Sequence, residues 1–481
     1  MTDEPKETTD EGLLGKKAVS RRDFLKLAGI AGGTIAVAGG LGGLVAACGG
    51  ETTTTTAATT ATTAGPATTA GPATTAGPTT TVATGPTPPA ADKIRIGAAR
   101  PISGYNAIFE QAHFGPAYKL WVDDMNKAGG LEVAGKKLPI EMTVYDDQSD
   151  LDTSMRLLTK LMQEDKMDFV FAPCSTAFLF AAAGVANANN YLLFSSEGGA
   201  TTLETEMQKG NLPWFFQCLN YSNHYQMPAM AEIGKELGIK TASIMYLDDL
   251  HGIEYNAQAA VYFSAAGIDI LSQTAVPLGA KDVSSIIKKI QTENPDLVCS
   301  FQYPGENALT YGTMAQLNYN PPAVLGGPAT STQAFYDSFK GILDGVMFEG
   351  AWSPKMNADV DAYYKKLSDF VGGPANVDFW GALIYKGQLD YFGQAIQKAG
   401  TLDMAKVAEV CRTEHFKTLM SDDTFFTNQI FDGSCYAGMI GQWQNGYPQV
   451  IDVGPKRTAA KIMYPKPTWA DAAAGSTTST S

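Results

Sequence analysis

The chain has 481 residues, 44% of them apolar, and a net charge of −14. That is enough for two or three domains with a sizeable core. No basic block lies beyond the first segment, which argues against a nucleic-acid partner; the four His lack ligand spacing and no Cys-x-x-Cys occurs, which argues against a zinc or redox site, so no metal or cofactor is expected.

Near the start, Ser20-Arg21-Arg22-Asp23-Phe24-Leu25-Lys26 precedes an apolar run over 27–47 that closes on Val45-Ala46-Ala47-Cys48. Arg21 and Arg22 before such a run resemble a twin-arginine export signal. The small residues before Cys48 resemble a bacterial lipobox, whose Cys is lipidated and becomes the new N-terminus. The alternative is an uncleaved membrane helix ending at a chance Cys. The run reaches the roughly 20 residues a span needs, but its many glycines weaken it as an anchor. Two motifs at the two correct ends favour a signal peptide over residues 1–47. The resemblance implies a diacylglyceryl group on Cys48, hence an extracytoplasmic protein tied to the cell membrane without crossing it. Lipidation of Cys48 leaves Cys174, Cys218, Cys299, Cys411 and Cys435, an odd set. Cys411 with Cys435 is a pairing the sequence leaves open.

Residues 48–92 are a Thr/Ala/Gly/Pro tract in which Thr-Thr-Ala-Gly-Pro-Ala recurs from Thr62 and Thr68. It has almost nothing to bury, so a disordered tether is expected, giving the folded part reach. Order starts at Lys93. Ile94-Arg95-Ile96-Gly97 alternates as a strand, and Pro101–Asn106 is turn chemistry. Phe114, Ala117, Tyr118, Trp121 and Met125 form one apolar helix face that Gly129-Gly130 ends. Strands are predicted at 138–145, 169–172 and 192–195, with helices between them.

The alternation restarts after Trp214-Phe215-Phe216. Strands are predicted at 242–246, 268–270, 297–301, 324–326 and 346–348, and long helices at 358–370 and 382–399. Gln442-Trp443-Gln444-Asn445-Gly446-Tyr447 carries an Asn-Gly hairpin signal. The small, polar stretch 469–481 is expected to be disordered. Strand–helix alternation predicts an α/β fold of parallel sheets with helices on both faces. Two such units suggest two lobes around a cleft, a favoured place for a ligand.

Several ordered segments carry a resemblance: Pro101-Ile102-Ser103-Gly104, Asn126-Lys127-Ala128-Gly129-Gly130, Tyr145-Asp146-Asp147-Gln148-Ser149-Asp150 and Ile440-Gly441-Gln442-Trp443-Gln444-Asn445-Gly446. Together they resemble the branched-chain amino acid class of ABC-transporter substrate-binding proteins, the type I periplasmic binding protein fold. The resemblance spans about 93–453. It implies two Rossmann-like lobes joined by a three-segment hinge, a Venus flytrap. Crossovers are expected near Cys218, Gly350 and Tyr436. Lobe one then holds residues 93–217 and 351–435, and lobe two holds 218–350 and the C-terminal hairpin in 436–468.

The resemblance also implies where a small solute sits. Ser175 and Thr176 lie between a strand and a helix, where free N–H groups and the helix dipole favour an anion; either side chain also suits capping. Gly198 and Gly199 fit close backbone approach or a plain turn. From lobe two, His251 matches a position that is often Tyr in the family, and Tyr303 matches another aromatic contact. Tyr105 and Phe109 are expected to wall the pocket. Ala329 stands where amino-acid binders commonly place an acid for the ligand's ammonium. Either another carboxylate serves, Glu197 first and Glu306 second, or the solute lacks an α-ammonium.

The leading expectation is a lipoprotein that captures an amino acid or a related carboxylate or amide and delivers it to an ABC permease. A surface sensor with the same cleft is the alternative. A hydrolase, using Ser103, Ser175 or Ser196 with His224 or His251, has no Gly-x-Ser-x-Gly to support it, so no catalytic residue is assigned.

Overall fold

The computed structural model describes residues 89–221, 225–339 and 342–476. Arg21, Arg22, Cys48, the tether up to residue 88, and His224 lie outside the described residues.

The first sheet is built from β1 (Ile94–Arg100), β4 (Ile140–Asp146), β5 (Phe169–Phe171), β6 (Leu193–Ser195) and β7 (Phe215–Gln217). A separate two-stranded hairpin, β2 (Leu131–Val133) with β3 (Lys136–Leu138), lies between β1 and β4 in sequence. β1 pairs in parallel with both β4 and β5, and its residues are almost all buried, the pattern of a central parallel strand. Some helices begin at a side-chain cap. Asp150 accepts from Thr153 N at 2.8 Å and caps the helix Leu151–Gln163, whose Leu158, Leu161 and Met162 face the core.

The second sheet holds β8 (Thr241–Leu247), β9 (Asp269–Val276), β10 (Leu297–Phe301), β11 (Ala323–Gly326) and β12 (Met347–Glu349), all parallel. The chain then returns to the first sheet for β13 (Phe426–Thr427) and β14 (Ile430–Phe431), and crosses again for β15 (Ile440–Gln444) and β16 (Tyr447–Val450). The orders are β13-β14-β7-β6-β5-β1-β4 and β16-β15-β12-β11-β10-β8-β9. Both sheets are therefore mixed rather than purely parallel: β13 runs antiparallel to β14, and β15 is antiparallel to both β12 and β16. The pairs β13-β14 and β15-β16 are hairpins closed by short turns, which forces them antiparallel, while β14 itself joins β7 in parallel.

The three passages between sheets are tied together. Tyr436 Oη donates to Cys218 O at 2.9 Å, Asn220 Nδ2 to Gly438 O at 3.1 Å, and Gly350 N to Met439 O at 2.5 Å. Gly350 has φ +55, and a Cβ there would lie 2.0 Å from Trp380 Cδ1, so glycine is required twice over. Beneath the first sheet, Phe392 of the helix Gly381–Ala399 meets Phe169 (4.9 Å between ring centroids) and Phe194 (5.3 Å) edge-on.

One expectation needs correction, and one pairing that the sequence leaves open is decided. The stretch 469–481 is not wholly structureless: Trp469–Ser476 is a helix. Trp469 is buried, and its Nε1 donates to Tyr319 O at 2.6 Å, which fixes the start of this helix to the second lobe. The Cys411–Cys435 pairing is absent: Cys174, Cys218, Cys299, Cys411 and Cys435 are all free and buried. Among the described residues no helix is long and apolar enough to cross a membrane.

Candidate functional site

The carboxyl ends of the two sheets face each other across a cleft. A cavity of about 20 Å³ lies there, room for about one water molecule. Phe109, Phe114, Ser175, Thr176, Glu197 and Gly198 line it from the first lobe, and His251, Tyr303 and Pro328 from the second. Leu219, Tyr221 and Trp380 close the side near the crossings. A solute of amino-acid size requires the lobes to part.

Local structure explains the first-lobe wall. Phe109–His113 forms a π-helical turn, a wide turn often found at functional sites. It aims Phe109 into the cleft, where its ring meets Tyr303 edge-on, 5.8 Å between centroids. Ser175 begins the helix Thr176–Asn189 with φ +81 and ψ 155, a conformation that strains a residue with a side chain. Its side chain makes no capping hydrogen bond, so the helix start and the Ser175 hydroxyl are not committed to each other. Thr176 Oγ1 lies 3.0 Å from Tyr221 Oη.

From the second lobe, Asp249 caps the helix Leu250–Ala265 by accepting from Gly252 N at 2.9 Å, which sets His251 in the first turn. His251 stacks on Tyr303, 5.2 Å between centroids, and its Nδ1 lies 3.5 Å from Tyr221 Oη rather than against a serine. Among the described residues no hydrogen-bond partner reaches its buried Nε2. Burial pushes the His251 imidazole down to about 3, so it is neutral in the closed cleft.

The electrostatic floor is a buried ion network. Arg100 ends β1 and is fully buried. Its Nη1 donates to both oxygens of Glu197 at 2.5 Å and to Ala172 O at 2.8 Å, and its Nε to Glu110 Oε2 at 2.8 Å. Glu110 Oε1 also takes Tyr118 Oη and Lys119 Nζ, both at 2.7 Å. Burial works against the Arg100 charge, but Cys174, Glu197 and Glu110 outweigh it and hold the guanidinium well above its ordinary value. By formal charge two cations face two carboxylates, with burial pushing the Glu197 carboxyl up against the pull of Arg100.

Seven of the residues singled out in the sequence meet at the cavity: Phe109, Ser175, Thr176, Glu197, Gly198, His251 and Tyr303. Three do not. Tyr105 stands half-exposed and away from the cavity lining. Gly199 gives its space to the protein: a Cβ there would lie 2.0 Å from Gln217 Nε2 and 2.9 Å from Tyr221 Cγ. Ala329 is fully buried, and Pro328 takes the lining position. Both carboxylates considered for an ammonium are engaged, Glu197 by Arg100 and Glu306 by Gly279 N at 2.6 Å. Phe114, Leu219, Tyr221, Pro328 and Trp380 were not anticipated. Tyr221 had one signal, its place just beyond the expected crossover at Cys218.

A larger open groove, about 820 Å³, lies on the outer face of the first lobe beside Trp121 and Thr418. Its charges are largely paired among themselves, Lys366 with Asp124, Lys386 with Asp390 and Lys417 with Asp422. None of the anticipated residues reaches it. Among the described residues no group of three or more His, Cys, Asp or Glu is placed to hold a metal ion.

Comparison with known proteins places this architecture. Over 334 residues the chain is 23% identical to the leucine-, isoleucine-, valine-, threonine-, and alanine-binding protein of Pseudomonas aeruginosa, covering 68% of this chain and 84% of that one. Its fold is similar to that of the branched-chain amino acid transporter substrate-binding protein LivJ from Streptococcus pneumoniae, solved with isoleucine (TM-score 0.62, 17% identity, 78% of this chain and all, 100%, of that one). A solute-binding protein of an ABC transporter from R. palustris, solved with benzoate, is similar to the same degree (TM-score 0.62, 16% identity, 77% and 99% covered). The family model described as periplasmic binding protein matches residues 93–445, and the chain belongs to that family.

Proposed function

We propose that this chain is an extracytoplasmic solute-binding lipoprotein that captures a small carboxylate and delivers it to an ABC permease. One observation carries the reading. The helix Thr176–Asn189 presents its N-terminus, with a strained Ser175 and an uncommitted hydroxyl, to a cavity walled by the rings of Phe109, Phe114, Tyr221, His251, Tyr303 and Trp380. Free N–H groups at a helix start suit a carboxylate. Rings on both lobes suit a flat or branched apolar body. With Glu197 and Glu306 engaged, an aromatic or aliphatic carboxylate without an α-ammonium fits better than an amino acid.

The second reading, a branched-chain amino acid, is favoured by the names of the curated relatives. A surface sensor would use the same cleft. In this proposal lobe one comprises residues 93–217 and 351–435 and lobe two 218–350 and 436–468. They close on the solute by bending at the three tied crossings. Export through Arg21-Arg22 and a lipid on Cys48 would hold the protein at the membrane, with 48–92 as tether.

Calorimetric titration with benzoate, 4-methylpentanoate and leucine tests the ligand class. Binding of either plain carboxylate, weakened about tenfold or more by Ser175→Ala, is the expected result. Binding of leucine alone would favour the second reading. Detergent-phase partitioning that Cys48→Ser abolishes tests the anchor.

A further inference from the structure

We propose that Arg100 is a specificity-determining residue: held under the cleft floor, it cancels the charge of Glu197 and so makes the cleft refuse solutes that carry an α-ammonium. This rests on the carboxylate reading and adds the residue responsible for it. Glu197 is the carboxylate that lines the cavity among the described residues. A free carboxylate at that point would receive an ammonium brought in with a carboxylate at the Ser175–Thr176 helix start. Its two oxygens instead take Arg100 Nη1 at 2.5 Å, and Oε2 also takes Cys174 Sγ at 2.7 Å. A guanidinium does not deprotonate at working pH, so the cancellation is permanent, unlike one made by a lysine.

The pair is anchored from both sides. Ala172 O holds the same Nη1, and Glu110 holds Nε from the π-helical turn that carries Phe109. Glu110 in turn is balanced by Lys119. Arg100 is thus fixed by three separate segments of the first lobe, and Glu197 cannot swing free while it stays. An ammonium entering the closed cleft finds no charge to replace its water, which is a heavy penalty. Arg100 is not itself a cavity-lining residue; it acts through Glu197 as a positioning residue.

The test compares pairs of solutes that differ only in the α-ammonium: 3-phenylpropanoate with L-phenylalanine, and 4-methylpentanoate with L-leucine. The exported protein and its variants are titrated calorimetrically, with folding checked by circular dichroism. The wild type is expected to favour the plain acid of a pair by about 100-fold. Arg100→Met should cut that ratio about tenfold or more, because Glu197 is released. Glu197→Gln should move it the other way, about threefold or more, because Arg100 is left as an uncancelled cation. The opposed shifts are something a merely structural role would not produce. A folded Arg100→Met with an unchanged ratio overturns the proposal and leaves the carboxylate reading standing. If Arg100→Met does not fold, Glu197→Gln decides, and an unchanged or falling ratio overturns the proposal. A wild type that prefers the amino acids, or binds neither member of either pair, overturns the carboxylate reading and this proposal with it.

Discussion

The hydroxyls of Thr176 and Tyr221 lie 3.0 Å apart, joining the start of a first-lobe helix to the first crossing between the sheets. Tyr221 Oη is also 3.5 Å from His251 Nδ1 on the second lobe. Three parts of the cleft thus share one phenol. Tyr221→Phe leaves a buried Thr176 hydroxyl without its partner. It should cost about 1–2 kcal/mol in stability and weaken solute binding, read by thermal melting and calorimetry on the same preparation.

His251 makes the fold sensitive to acid. Its pKa is about 3 when buried, against 6.5 for an ordinary histidine. Between those values the unfolded chain binds a proton that the folded one does not, so stability rises with pH. The contribution is intact above 6.5 and is lost as the pH falls; at pH 5 the loss is about 2 kcal/mol. Melting temperatures of wild type and His251→Gln between pH 7 and 5 check this: the wild type should drop more steeply, and parallel curves would refute it.

Glu349 has the opposite sign. It ends β12 and is fully buried, and among the described residues no close hydrogen bond reaches either of its oxygens. Burial pushes its carboxyl well above the ordinary 4.5, with the nearby Tyr255 hydroxyl offsetting part of the effect. Its contribution is fully present below 4.5 and is lost as pH rises through the folded value. Glu349→Gln should therefore raise the melting temperature at pH 7.5 by about 2 °C or more. At pH 4 it should give no gain.

Gly350 tests the crossings. An alanine there must hold φ +55 and place its Cβ 2.0 Å from Trp380. The expected loss is about 2–4 kcal/mol. Small-angle scattering without solute should also show more of the open form, because Trp380 lines the cleft and would be pushed aside.

Much of the fold was legible because parallel strands write themselves locally. Ile94 and Ile96, or Val298 and Phe301, are buried runs bounded by turns, and the spacing between them fits helices. The edges were not legible: β13 and β14 are two residues each, too short for any alternation to register. The terminal helix was hidden because the burial of Trp469 depends on Tyr319, 150 residues away. At the site, residues beside strand ends announced themselves. Trp380 gave no sign, since only the returning chain brings it to the cleft. The engagement of Glu197 was equally silent, for Arg100 is 97 residues earlier and nothing local links them.

The order of strands also governs how the chain is made. The sheet of the second lobe takes strands from 241–349 and again from 440–450, while that of the first takes 94–217 and then 426–431. On a ribosome, neither sheet can be completed until nearly the whole chain has emerged. β12 waits as an exposed edge through about ninety residues of synthesis before β15 covers it. Neither lobe is a contiguous segment that could be cut out and expressed alone. Late, long-range pairing of this kind is slow, so the newly made chain spends longest in the state where β12 and β7 can pair with a neighbour.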